Sequence, residues 1–321
     1  MSGDAGADPG ADRTTGKAGA KPAASPAPLW RSYLALGRVS NLPTVWSNCL
    51  AGVILAGGVP NALLMLALVV SLSLFYTGGM FLNDAFDHRF DREFRPERPI
   101  PQGWISPRHV FLAGFLLLGA GELMLLLPIG VAVGAVGFFP AVPLLGGLAL
   151  GGLITYYNYR HKTDPLSPLV MALCRALIYL IAGGMGGIAI SATVGWGAVM
   201  LVCYLIGLTY VAKQENLTEV KNLWPLLFLA APFVQGLPVL LRLSWESLLY
   251  AVFLGWVAYA ISFLLRRQGR SIPRAVIGLI AGISLLDGLL IAGTGAPAVW
   301  AFAAGLGFVL TLFFQRYVAG T

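Results

Sequence analysis

Residues 62–91 read ALLMLALVVSLSLFYTGGMFLNDAFDHRFD. The run up to Asn83 is apolar and long enough to cross a bilayer, which takes about 20 residues, and it leads directly into Asp84, Asp87 and Asp91. The rest of the chain repeats the first half of that pattern. Of 321 residues, 57% are hydrophobic and 11% charged, with a mean hydropathy of +0.78, against about 25% charged in a soluble domain. This composition excludes a soluble globular protein. Most of the 40 glycines and 20 prolines lie in apolar stretches, where membrane helices tolerate both.

Apolar runs predict spans at 38–57, 62–83, 108–127, 131–157, 167–190, 195–213, 223–241, 246–265, 273–293 and 297–315. The first and fourth are the weakest, so nine or ten transmembrane helices are expected in an all-α integral membrane protein. Residues 1–29 read as a disordered cytoplasmic tail and 30–321 as one transmembrane domain. The loops alternate in charge. Those near 59, 129, 192 and 295 lack Lys and Arg and the one near 243 carries only Arg242, opposed by Glu246, whereas the other set carries Arg89, Arg92, Arg95, Arg98 and Arg108, then Arg160 and Lys162, Lys213 and Lys221, and Arg266, Arg267, Arg270 and Arg274, with Arg316 at the end. The positive-inside rule then makes both termini cytoplasmic, and a bacterial inner membrane is the expected location. The net charge of +7 is explained by topology, and no nucleic-acid partner is expected. Cys49, Cys174 and Cys203 lie in apolar stretches at no metal-ligand spacing and read as core fillers.

On a helix, Asn83, Asp87 and Asp91 share one stripe with Asp84 beside it. Carboxylates this close repel one another, and such a set of oxygen ligands suits a hard cation such as Mg2+, which favours a few carboxylates plus substrate phosphates. The competing reading is a solvated helix end balanced by Arg89 and Arg92. Arg95 and Arg98 follow in RPERPIPQG, 95–103, and Arg160 and Lys162 in YYNYRHK, 156–162. Arginine and lysine there suit phosphate oxygens or serve as topological anchors. A second acidic pair, Glu215 and Glu219, falls one helical turn apart in KQENLTEVKN, 213–222. Phe75, Tyr76, Phe81, Phe86, Tyr156, Tyr204 and Tyr210 are candidates to line a cavity by cation-π contact. Glu122, Arg175 and Asp287 lie within spans, where ionisable groups are functional candidates by default; a pairing of Arg175 with Asp287 or with Glu122 is open.

With N83-x-x-x-D87-x-x-x-D91, R98-P-I-P-Q-G, the Y-x-x-R160-x-K162 loop and the second acidic pair, the sequence resembles the UbiA superfamily of intramembrane prenyltransferases. The resemblance implies a ring of helices around a central cavity, in which Mg2+ holds an isoprenoid diphosphate. By that resemblance Asn83, Asp84, Asp87 and Asp91 bind the first metal, Glu215 and Glu219 the second, and Asn83, Arg98, Arg160 and Lys162 touch the diphosphate; Asp87, Asp91, Glu215 and Glu219 are the catalytic set. It further implies prenyl transfer to a small, aromatic acceptor within the lipid bilayer. Glu stands in the second motif where the family usually has Asp. RVSNLPTVWSN at 38–48, DPLSP at 164–168 and LCRALIYL at 173–180 are similar to the EboC-like branch, implying specialised metabolism. The rival reading is a non-catalytic or transport-related membrane component that keeps the fold.

Overall fold

The structure, a computed structural model, describes residues 28–132, 141–185, 191–213, 224–240, 244–265, 271–318 and 320. Among these the regular structure is helical: α1 (Leu29–Leu36), α2 (Leu42–Leu55), α3 (Ala62–Phe94), α4 (Pro107–Ala132), α5 (Ala141–Arg160), α6 (Ser167–Met185), α7 (Ala192–Lys213), α8 (Leu227–Leu240), α9 (Trp245–Leu265), α10 (Ser271–Ala292) and α11 (Ala298–Phe314). Helices α2 to α11 follow the predicted apolar runs in order. Six of them, α3, α4, α6, α7, α9 and α10, are long and apolar enough to cross a membrane; α2 and α11 are apolar but shorter. Of the expected tail, residues 1–27 lie outside the described residues.

One feature departs from the sequence reading. The short helix α1 precedes the first span, with Leu29 and Trp30 exposed. Helix α3 continues past its apolar run, as the acidic stripe requires, and reaches Phe94 over 33 residues, about 50 Å at 1.5 Å per residue. Its start is held by Asn61, whose side chain accepts from the amides of Leu63 at 2.9 Å and Leu64 at 3.4 Å, meeting two of the orphan donors at a helix N-terminus. The continuous helix carries the acidic stripe beyond the apolar run.

Helices adjacent in sequence pack side by side from α3 through α11, and α2 closes the arrangement by touching α3, α6, α10 and α11. The α2–α6 contact depends on Gly52. A Cβ there would stand 2.7 Å from Ala182 Cβ and 2.8 Å from the Tyr179 carbonyl oxygen, so only glycine allows the two helices this approach. Leu201, Leu279, Phe253 and Leu286 are fully buried in the larger apolar core, and Leu68, Leu72 and Val45 in a second. As expected, Cys49 and Cys174 are buried core residues; Cys203 is partly so.

Candidate active site

The carboxylates of α3 are not a solvated helix end. Asp84, Asp87 and Asp91 retain only 6%, 8% and 1% of their exposure, and burial without partners would cost each several kcal/mol. Cations from distant segments meet them. Arg98 Nη1 donates to Asp84 Oδ1 at 3.0 Å and Asp91 Oδ2 at 2.9 Å. Lys162 Nζ stands 2.8 Å from Asp87 Oδ1, and His161 Nε2 stands 3.4 Å from Asp87 Oδ2. Burial pulls the Arg98 pKa down, but Asp84 and Asp91 outweigh it and hold the guanidinium above its ordinary value.

Arg38 completes this shell in a conformation that costs energy. Its φ of 43° and ψ of 45° are left-handed, which costs a non-glycine residue about 1–2 kcal/mol. In that conformation Arg38 Nη2 lies 3.3 Å from Asn83 Oδ1 and 3.5 Å from Asp84 Oδ1. Asn83 donates in turn to Asn158 Oδ1 at 3.0 Å, and Asn158 donates to the Gly79 carbonyl at 3.0 Å. Asn83 is thereby fixed between α3 and α5.

These groups form the mouth of a cavity of about 630 Å³. Six arginine and lysine side chains among the described residues line it, Arg38, Arg95, Arg98, Lys162, Arg175 and Lys213, together with Asn83 and Asp87. Deeper in, the wall becomes apolar, with Phe75, Leu150, Ile178, Leu205 and Ile283 among its residues. A charged mouth and a largely apolar interior, interrupted by Arg175, match a ligand with an anionic head and an apolar tail.

Not every residue singled out from the sequence reaches this cavity. Asn83, Asp87, Arg98 and Lys162 line it, whereas Asp84 and Asp91 stand behind Arg98. Arg160 is exposed and lies over the Tyr159 ring at 5.5 Å, away from the lining. Glu215 and Glu219 lie outside the described residues. Of the candidate aromatics, Phe75 and Tyr76 line the cavity while Phe81, Phe86, Tyr156, Tyr204 and Tyr210 do not; Phe90 and Tyr157 do. Phe90 also carries Lys162 Nζ 3.6 Å from its ring centroid, which steers the ammonium toward the mouth. Arg95, singled out with Arg98 from the sequence, also lines the cavity, whereas sequence reading missed Arg38, His161 and Lys213 as lining residues. Of these three only His161 had a local signal, as the neighbour of Lys162.

As the side chains stand, no three His, Cys, Asp or Glu side chains converge as metal ligands among the described residues, since protein cations occupy the carboxylates. The donor chemistry nevertheless fits a hard divalent ion. Oxygen side chains recur every fourth residue on α3, and buried Asp91 Oδ1 has no hydrogen-bond partner, a lone pair left for an incoming cation.

Apolar helices around this cavity define an integral, multi-pass membrane protein. The UbiA prenyltransferase family model matches residues 44–275, more than half of the chain, and the chain belongs to that family. Among relatives, the digeranylgeranylglyceryl phosphate synthase of Methanospirillum hungatei is 30% identical over 161 residues, 49% of this chain and 52% of that protein. The protein of the same name from Methanoregula boonei is 30% identical over 200 residues, 60% of this chain and 63% of that one. The chain thus spans about half to three fifths of the length of these two relatives. A solved structure described as giving insights into the biosynthesis of digeranylgeranylglyceryl phosphate synthase in membranes superposes with a TM-score of 0.56 at 20% identity, covering 82% of this chain and 98% of that one. That superposition establishes a shared fold.

Proposed function

We propose that the chain transfers a prenyl group from an isoprenoid diphosphate to a small acceptor inside the membrane, with the diphosphate held at the cavity mouth. The observation that carries this is the joining, in one cavity, of Asn83, Asp87, Arg98 and Lys162 to an apolar interior. Arg98 and Lys162 already bind the carboxylates, so they are placed to exchange those partners for phosphate oxygens. Mg2+, held by Asn83, Asp87 and Asp91 with Glu215 and Glu219 for a second ion, would neutralise the charge gathering on the leaving diphosphate.

In the transfer, the allylic C1–O bond breaks with its electron pair going to the diphosphate, and C1 bonds to the acceptor, which gives up its proton to an oxygen of the departing diphosphate. Arg98 and Lys162 stabilise the negative leaving group. Tyr157, on the wall and stacked on His161 beside Asp87, is the ring placed to stabilise positive charge on the allylic carbon, and the surrounding hydrocarbon keeps water from capturing it. The name of the relatives favours an acceptor of the glyceryl phosphate type over an aromatic one. The basic mouth faces the cytoplasm by the charge of its loops.

Purified protein in lipid nanodiscs, supplied with Mg2+ and radiolabelled geranylgeranyl diphosphate, tests the reading against a panel of glyceryl phosphate and aromatic acceptors. A Mg2+-dependent prenylated product is expected. Failure to bind the diphosphate with Mg2+ present would overturn it and favour a component that keeps the fold without the chemistry.

A further inference from the structure

Arg175 is at the ninth position of α6, about 12 Å from that helix's first residue. Its guanidinium lies 5.4 Å from the ring centroid of Tyr76 on α3. Tyr76 precedes Asp87 by 11 positions in the same helix, about 16 Å along its axis, so Arg175 lies deeper along the cavity than the carboxylate stripe. A second cation therefore lines the same cavity well inside the membrane, where charge is expensive.

Its partners do not neutralise it. Arg175 Nη1 donates to Asn48 Oδ1 at 2.8 Å and Nη2 to Thr44 Oγ1 at 3.0 Å, both neutral oxygens, and it forms no ion pair among the described residues. The carboxylate behind it is already engaged. Fully buried Asp287 accepts from Ser47 at 2.5 Å, from Asn48 at 3.0 and 2.9 Å, and from the Tyr179 hydroxyl. Asn48 stands between the two charges, its amide turned to Asp287 and its carbonyl to Arg175. A direct Arg175–Asp287 pair would have cancelled the charge; the interposed Asn48 instead holds the guanidinium forward at the wall. Asp287 balances the field without occupying the fork, which has five donors.

We propose that Arg175 anchors an anionic group, carboxylate or phosphate, carried by the acceptor and seated deep in the cavity apart from the diphosphate, with Asn48 and Asp287 as positioning residues. The inference rests on reading the cavity as a prenyl-transfer site, and it makes Arg175 the residue that selects acceptors by charge. A planar guanidinium suits both anions through paired N–H donors.

The test uses the full chain in phosphatidylcholine nanodiscs with Mg2+ and saturating geranylgeranyl thiolodiphosphate, an unreactive donor that fills the mouth. Binding of dodecyl phosphate, dodecanoate and dodecanol is then measured. The wild type is expected to prefer at least one of the two anions to dodecanol by about tenfold or more, and the tighter of the two identifies the anion. Arg175→Gln should reduce that preference to less than about threefold while leaving thiolodiphosphate affinity within about twofold of wild type. Arg175→Met, of similar length, carries the same expectation should the Gln variant fail to fold. Equal binding of all three probes by the wild type, or a preference that survives loss of the guanidinium, overturns the proposal. Absence of thiolodiphosphate binding by the wild type would overturn the transfer reading itself and the proposal with it.

Discussion

Lys162 Nζ rests 2.8 Å from Asp87 Oδ1, so the lysine assigned to the diphosphate and the carboxylate assigned to the metal are each other's partner. Two groups with opposite tasks neutralise one another until a metal and a phosphate arrive to separate them. Asp87→Ala should therefore abolish Mg2+-dependent diphosphate binding while leaving folded protein in the membrane. Lys162→Ala removes one charge-assisted contact of about 1.5 kcal/mol, or about tenfold in diphosphate affinity. Titration calorimetry with a non-hydrolysable prenyl diphosphate separates the two; unchanged affinity in Lys162→Ala would mean that Lys162 does not contact phosphate.

Arg98 bridges Asp84 and Asp91, and its removal leaves buried Asp91 unmatched and Asp84 with only the 3.5 Å contact to Arg38. Stripping one partner from a buried ion pair costs about 3–5 kcal/mol; because Arg98 keeps 15% side-chain exposure, about 3 kcal/mol is expected for Arg98→Ala. Thermal unfolding should show the lowered Tm, and diphosphate binding should fall with it. Arg160→Ala, at an exposed position outside the cavity, should stay within about 0.5 kcal/mol of wild type. A destabilised Arg160 variant would contradict that assignment.

Arg38 holds a left-handed backbone conformation to reach Asn83 and Asp84. Glycine adopts that conformation without the penalty. Arg38→Gly should thus lower diphosphate affinity with a smaller loss of stability than Arg38→Ala, which keeps the strain and loses the contact. Should the alanine variant prove the more stable of the two, the strained conformation is not what holds Arg38 in place.

Asp287 accepts from Ser47, Asn48 and Tyr179, all of which donate to it. An amide in its place would turn two N–H groups toward groups that are themselves donors. Asp287→Asn should therefore destabilise by about 3 kcal/mol despite being nearly isosteric, through the unmet polar groups it creates. Chemical or thermal unfolding in detergent measures it, and a wild-type Tm would show that Asp287 is not needed as an acceptor.

For Glu215 and Glu219 the expectation rests on sequence. If they hold the second ion, replacement by Asp shortens the reach by about one bond, 1.5 Å, and octahedral Mg2+ tolerates little distortion. Glu→Asp should then hurt Mg2+-dependent turnover nearly as much as Glu→Ala. Four silent variants would remove the second metal site.

The amino-acid sequence by itself determined the membrane class, the order of the apolar helices and the acidic stripe of α3. Each is a local property: a bilayer-length apolar run or a side-chain repeat along one helix needs no knowledge of distant residues. It also marked Arg175 and Asp287 as intramembrane charges, but left their pairing open. Tertiary structure decided what the charges face. Arg38 meets Asn83 across 45 positions, and Asn48 meets Asp287 across 239; no periodicity encodes such contacts. Lys162 enters the cavity and Arg160 does not, although they are two residues apart, because α5 ends at Arg160 and the chain turns beyond it. The stripe on α3 was likewise readable as solvated or metal-binding until packing buried it. Buried carboxylates need partners, and where the partners come from follows from how the helices close around the cavity.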